Sequence, residues 1–182
     1  MGFGIFLDLK FHDIPNTVAG AVAAASKLPN VRLMTVHTLG GLAMMRAARD
    51  AAGDKKTRPR MIGVTILTSH DAATLRSVGI SGSTGSRALA LAKLAKQAGL
   101  DGVVASAHEA TAIRKACGPR FLIVVPGVRP TSAAAGDQAR VATPAQAIRA
   151  GADYLVVGRP ITSAPSPRHA ALAIAQEIAS AV

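Results

Sequence analysis

The sequence predicts an α/β fold on a parallel sheet, with residues 1–182 as one domain. Three observations carry this reading. Short β-branched runs alternate with Ala-rich helical stretches from end to end, the pattern of βαβ crossovers. The strand candidates are near-continuous apolar runs, as in strands covered on both faces. No composition break or low-complexity linker divides the chain.

The elements follow in order. A strand is predicted over 5–10, then a helix over 15–28 that opens on Pro15, where a first turn tolerates a missing N–H. A strand over 32–37 leads to a helix over 41–52, and a strand over 61–67 to a helix over 87–98 stopped by Gly99. Residues 81–86, Ser-Gly-Ser-Thr-Gly-Ser, are read as a flexible connection, because they lack the Gly-Lys-Ser/Thr of a P-loop. A strand over 102–105 precedes a helix over 107–116, whose His108-Glu109 start suits the helix dipole. The last pairs are a strand over 121–125 with a helix over 143–150, stopped by Gly151, and a strand over 154–157 with a helix over 167–181, opened by Pro167. These make six strand–helix units, whereas a closed barrel needs eight and typically about 250 residues. The chain is therefore either a six-stranded open sheet or a barrel lacking its first two units.

Composition narrows the function classes. Hydrophobic residues make up 49% of the chain, enough for a sizeable core. The lone thiol, Cys117, forms no internal disulfide, no apolar run approaches the ~20 residues of a membrane span, and the N-terminus does not read as a signal peptide. A cytoplasmic protein without membrane attachment is expected. The formal charge of +11 suits either nucleic acid or a phosphorylated substrate. Aromatic residues are only 3%, poor for base stacking, so nucleic acid is not the expected partner. No His or Cys cluster has metal-ligand spacing, and no metal site is expected.

The first strand carries the chemistry. Period-two alternation sends Ile5, Leu7 and Leu9 towards covering helices and Phe6, Asp8 and Lys10 to the inner face. Asp8 and Lys10 would then form a buried pair at the strand's C-terminal end, where α/β enzymes place catalysis. Asp13 follows in the turn. A plain structural ion pair, with Asp13 as a helix cap, explains the same residues. Three charged groups packed around one strand exit favour function. His37 and His70 also fall at strand exits, where a single histidine is more often structural.

Asp8-Leu9-Lys10-Phe11-His12-Asp13-Ile14-Pro15-Asn16-Thr17 closely resembles the signature of the orotidine 5′-phosphate decarboxylase family. A bare Asp-x-Lys-x-x-Asp also occurs in sugar-phosphate relatives such as hexulose phosphate synthase; the Phe-His-Asp-Ile-Pro-Asn-Thr continuation points to the decarboxylase. Thr65-Ile66-Leu67-Thr68-Ser69 looks like the family's fifth-strand exit. Val125-Pro126-Gly127-Val128-Arg129-Pro130, continuing to Gly136-Asp137-Gln138, resembles its phosphate-gripping loop. Val156-Val157-Gly158-Arg159-Pro160-Ile161-Thr162 resembles its eighth-strand exit.

The resemblance implies a TIM (β/α)8-barrel lacking its first two βα units. It implies decarboxylation of orotidine 5′-monophosphate (OMP) to UMP and CO2 in pyrimidine biosynthesis, with no metal or organic cofactor. By the same likeness Asp8 sits beside the substrate carboxylate and Lys10 delivers the proton to C6. Asp13, Ile14 and Thr17 reach into a neighbouring subunit's site, which makes a homodimer the working unit. Ser69 bonds the pyrimidine, Gln138 and Arg159 hold the phosphate, and Pro126 and Gly158 lie in the segments that line the substrate. The loop over 129–138 is expected to close over a ligand and exclude water. The alternatives are a sugar-phosphate aldolase or decarboxylase of the same superfamily and a non-catalytic nucleotide-phosphate-binding remnant.

The match departs from the family in one respect. A Lys of the family's second strand and an Asp of its first precede the segment that opens this chain and have no counterpart in it. That Lys helps order Asp8, Lys10 and Asp13, and that Asp contacts the ribose. A polypeptide complete as given is expected to be nearly inactive and, with two unpaired sheet edges, poorly soluble.

Overall fold

A computed structural model describes residues 2–130 and 142–181. In chain order the elements are β1 (Ile5–Phe11), α1 (Pro15–Ala25), β2 (Val31–His37), a 3-10 turn (Thr38–Gly40), α2 (Gly41–Ala51), β3 (Arg60–Val64), α3 (Ala72–Ser77), α4 (Thr84–Ala98), β4 (Gly102–Val104), α5 (Ala107–Cys117), β5 (Leu122–Pro126), α6 (Pro144–Arg149), β6 (Tyr154–Val156), α7 (Arg159–Thr162) and α8 (Pro167–Ala179). All six expected strands form, and the class is α/β. The chain divides into two compact units, Met1–Thr65 with Leu89–Val104, and Ile66–Ala88 with Ala105–Val182.

In the first unit β1 to β4 form a parallel ladder, with Met34 opposite Met61 and Val64 opposite Val104. Its core is unusually rich in methionine: Met34, Met44, Met45 and Met61 are fully buried beside Val18 and Val22 of α1. The flexible thioether fills irregular gaps between helix and sheet. Gly63 is required here, because a Cβ would stand 2.7 Å from Thr38 Cγ2 and 3.1 Å from Leu100 Cδ1. The start of the ladder is fastened by Asp101. Its backbone N–H donates to Met61 O at 2.9 Å, and its Oδ2 accepts from Met61 N at 2.8 Å and from Arg58 Nη1 at 2.6 Å.

The second unit repeats the device. β5 pairs in parallel with β6, Val125 opposite Leu155. Asp153 N–H donates to Ile123 O at 2.9 Å, and its Oδ2 accepts from Ile123 N and from Arg114 Nη2, each at 2.7 Å. Both aspartates follow the same tetrapeptide pattern, Ala98-Gly99-Leu100-Asp101 and Ala150-Gly151-Ala152-Asp153. The glycines take φ of 84° and 105°, which ends each helix and turns the Asp onto the preceding strand. Ile113, Ile123 and Val125 fill the core of this unit.

Several boundaries differ from the sequence reading. The strand expected over 61–67 ends at Val64, after which a turn closes from Leu67 O to His70 N at 2.9 Å. Part of the 81–86 segment is helical, because the Ser83 hydroxyl accepts from Ser86 N and caps α4. The short helices α3 and α7 were not expected. α3 is capped by Asp71, whose carboxyl is held below its ordinary pKa by the backbone N–H and hydroxyl of Thr74. Among the described residues no helix is long and apolar enough to cross a membrane.

Candidate active site

The charged pair of β1 is built by a break in the ladder. Leu7 pairs with Met34, and the next pairing is Phe11 with Val36. Asp8, Leu9 and Lys10 therefore stand opposite one residue of β2, Thr35. Such a bulge bends the strand and re-aims its side chains. Lys10 has φ of 50°, a left-handed conformation uncommon for a side chain of this kind. Its backbone N–H donates to Thr35 Oγ1 at 2.8 Å, and Thr35 Oγ1 donates to Asp8 Oδ1 at 2.9 Å. Lys10 Nζ donates to Asp8 Oδ2 at 2.5 Å.

Asp8 and Lys10 thus meet as the spacing implied, but they are not buried. Their side chains remain 42% and 43% exposed, and Leu9 and Ile5, expected under helices, are 50% and 44% exposed. The bulge breaks the alternation on which the inner-face reading rested. An ion pair this exposed contributes at most about 1 kcal/mol. A left-handed Lys costs about 1–3 kcal/mol, so stability alone does not account for the arrangement. One donor of Lys10 is engaged by Asp8, and an ammonium has three.

Asp13 does not join the pair in the described contacts; its Oδ1 accepts from Ile14 N at 2.6 Å, just ahead of α1. Ile14 is 66% exposed and Thr17 is exposed. His12 stacks on His37 with ring centroids 5.2 Å apart, and His37 Nδ1 accepts from Leu39 N at 3.3 Å. The two rings tie the exits of β1 and β2 together.

In the second unit, Ser69 is exposed in the turn over 67–70. Pro126 ends β5, and Gly127, at φ of 73°, swings the chain so that Val128 is buried and Arg129 N donates to Ala142 O at 2.9 Å. Gly158 precedes α7, its carbonyl accepting from Ile161 N and Thr162 N. Arg159 is exposed and lines a cavity of about 530 Å³ with Pro130, Ser163, Ile174 and Glu177. Gln138 and most of the expected closing loop lie outside the described residues. No three His, Cys, Asp or Glu side chains gather into a metal-sized cluster among the described residues.

Two residues had no role of their own in the sequence reading. Thr35 is fully buried between Met34 and Val36 of β2, and a polar side chain inside that apolar stretch was its only signal. Arg129 is 8% exposed, and its Nε has no hydrogen-bond partner among the described residues. Burying a guanidinium nitrogen without a partner is costly. The position of Arg129 within Pro-Gly-Val-Arg-Pro was the available clue.

Comparison with known proteins places this geometry in context. Residues 1–174 match the model of the Orotidine 5'-phosphate decarboxylase / HUMPS family. The orotidine 5'-phosphate decarboxylase of Halorhodospira halophila is 56% identical over 180 residues, which cover 99% of this chain and 76% of that protein. That of Nitrosococcus oceani is 52% identical over 179 residues, covering 98% and 77%. Among solved structures, the orotidine 5'-phosphate decarboxylase of Lactobacillus acidophilus matches with a TM-score of 0.84 at 40% identity, over 97% of this chain and 76% of that one. The enzyme from Pyrococcus horikoshii OT3 matches with a TM-score of 0.73 at 27% identity, over 97% and 74%. Of the two architectures left open by the element count, these likenesses select the (β/α)8-barrel type, of which the chain carries six units.

Proposed function

Because this chain belongs to the orotidine 5′-phosphate decarboxylase / HUMPS family, we propose that it converts OMP to UMP and CO2 at the Asp8–Lys10 pair. The observation that carries the reading is the 2.5 Å contact between these two side chains, accessible to a ligand yet fixed from beneath by a buried hydroxyl. Sugar-phosphate chemistry is not favoured, since relatives at 52% and 56% identity are named as the decarboxylase.

In the reaction the C6–carboxylate bond breaks, CO2 departs and its bonding pair remains on C6. Little resonance relieves that charge, so the protein must stabilise it electrostatically. Asp8 faces the substrate carboxylate and holds the Lys10 ammonium at C6. Lys10 then gives a proton to C6, forms the new C–H bond and is reprotonated from solvent. A fixed cation stabilises charge developing at carbon more than it stabilises the neutral ring carbon of the ground state, and that difference accelerates the step.

Arg159, Gly158 and Gln138 hold the phosphate, joined by Arg129, whose buried Nε–H has no partner among the described residues and can donate to an anion. Ser69 bonds the pyrimidine and Pro126 lines it. Asp13, Ile14 and Thr17 act in a neighbouring subunit's site; the exposure of Ile14 supports a homodimer. The working compartment is the cytoplasm.

The test is UMP accumulation from OMP, followed by chromatography against an enzyme-free blank, with and without a chelator. Product above the blank, unchanged by chelation, is expected, at a low rate for the polypeptide as given, which lacks counterparts of the family's second-strand Lys and first-strand Asp. No product, or product lost on chelation, contradicts the reading.

A further inference from the structure

We propose that Thr35 is a positioning residue for the reaction, its buried hydroxyl setting the geometry of both Asp8 and Lys10; this rests on the functional reading above.

A threonine hydroxyl has one proton to donate and lone pairs to accept with. Here both capacities are used on one short stretch of chain. Oγ1 accepts from Lys10 N at 2.8 Å, and a backbone N–H can only donate, so the hydroxyl proton is left for Asp8 Oδ1 at 2.9 Å. The direction of both bonds is thereby fixed.

Each bond controls a different degree of freedom. The first satisfies the N–H that the bulge removes from the regular ladder, and it holds Lys10 at φ of 50°. The second stops the Asp8 carboxylate from rotating and leaves Oδ2 for Lys10 Nζ. Thr35 is itself rigid: it is fully buried, β-branched, and flanked in the ladder by the pairings of Met34 and Val36.

The other fully buried threonines set the contrast. Thr38 Oγ1 donates to Val64 O and Thr65 Oγ1 to Val104 O, each tying the chain just beyond one strand to the end carbonyl of the next. Thr35 instead directs its hydroxyl at a charged side chain and a strained backbone amide. A surface ion pair formed only for solubility needs no such foundation.

The experiment compares Thr35→Val, which keeps shape and removes the hydroxyl, with Thr35→Ser, which keeps the hydroxyl. In Thr35→Val, kcat for UMP formation is expected to fall by about 10- to 100-fold, the cost of a misplacement near 1 Å. KM should stay within about threefold, and Thr35→Ser should return kcat to within about threefold of wild type. Amide hydrogen exchange gives a second readout, independent of turnover. The Lys10 amide should exchange at least about tenfold faster in Thr35→Val but not in Thr35→Ser, while the Met34 and Val36 amides stay protected. Should Thr35→Val not fold, Thr35→Ala replaces it with the same expectations. Equal kcat in wild type and Thr35→Val, equal losses in Val and Ser variants, or an unchanged Lys10 amide overturns the proposal. If wild type forms no UMP, the functional reading falls, and the Lys10 amide comparison alone decides whether Thr35 sets this geometry.

Discussion

At the residue scale, Arg129 sets ligand binding against stability. Arg129 is 8% exposed and its buried Nε has no hydrogen-bond partner among the described residues, a desolvation penalty that an anionic ligand would relieve. Arg129→Met keeps the apolar stem and removes the charge. It is expected to raise stability to urea by about 1–2 kcal/mol while weakening UMP binding by at least about tenfold. Equilibrium unfolding and calorimetric titration check the two effects; a variant both less stable and equally good at binding would place Arg129 in a structural role. Asp8 and Lys10 were legible in the sequence because two opposite charges at a strand exit are chemically conspicuous. Their exposure was not, because the alternation rule assumes a regular strand. The bulge depends on a side chain of β2, 25 residues from Lys10, and no local pattern reports it.

At the element scale, the two Ala-Gly-x-Asp fasteners differ in burial, and that difference decides their energetics. Arg58 and Asp101 side chains are 4% and 7% exposed, whereas Arg114 and Asp153 are 23% and 31% exposed. Asp101→Ala leaves the buried Arg58 guanidinium without its counter-charge and the Met61 N–H without its acceptor, and is expected to cost about 3–5 kcal/mol. The ion pair of Asp153 with Arg114 is worth only about 1 kcal/mol, so Asp153→Ala should cost clearly less than Asp101→Ala. Urea denaturation ranks them, and equal losses would show that burial does not govern these pairs. Strands and long helices were readable because β-branched runs and Gly or Pro stops act locally. Gly99 and Gly151 were read correctly as helix ends; the strand-fastening work of the aspartates two residues later was not, since their partners lie 40 and 30 residues away. α3 and α7 escaped because helices of six and four residues show no periodicity.

For the whole molecule, the remaining claim is the proposed homodimer, in which Asp13, Ile14 and Thr17 would serve a second subunit. Sedimentation velocity is expected to give twice the 18.5 kDa chain mass, and Ile14→Lys the chain mass itself, with UMP formation lost in step. An active monomer would remove the shared site. Fold class and unit count were visible from the sequence, because alternation of strand and helix extends along the entire chain. The element count alone left open sheet and barrel undecided, since the same six repeats suit either one; the family resemblance of the strand-exit motifs pointed to the barrel, and likeness to solved structures bears it out.

The most direct test of the Asp8–Lys10 centre is Lys10→Ala, with turnover of OMP and binding of UMP measured on the same preparation. UMP formation reduced at least about 100-fold, with UMP affinity changed by less than about tenfold, is the expected result for a group acting on the transition state. Turnover within a few-fold of wild type would contradict the assignment of Lys10 as the proton donor.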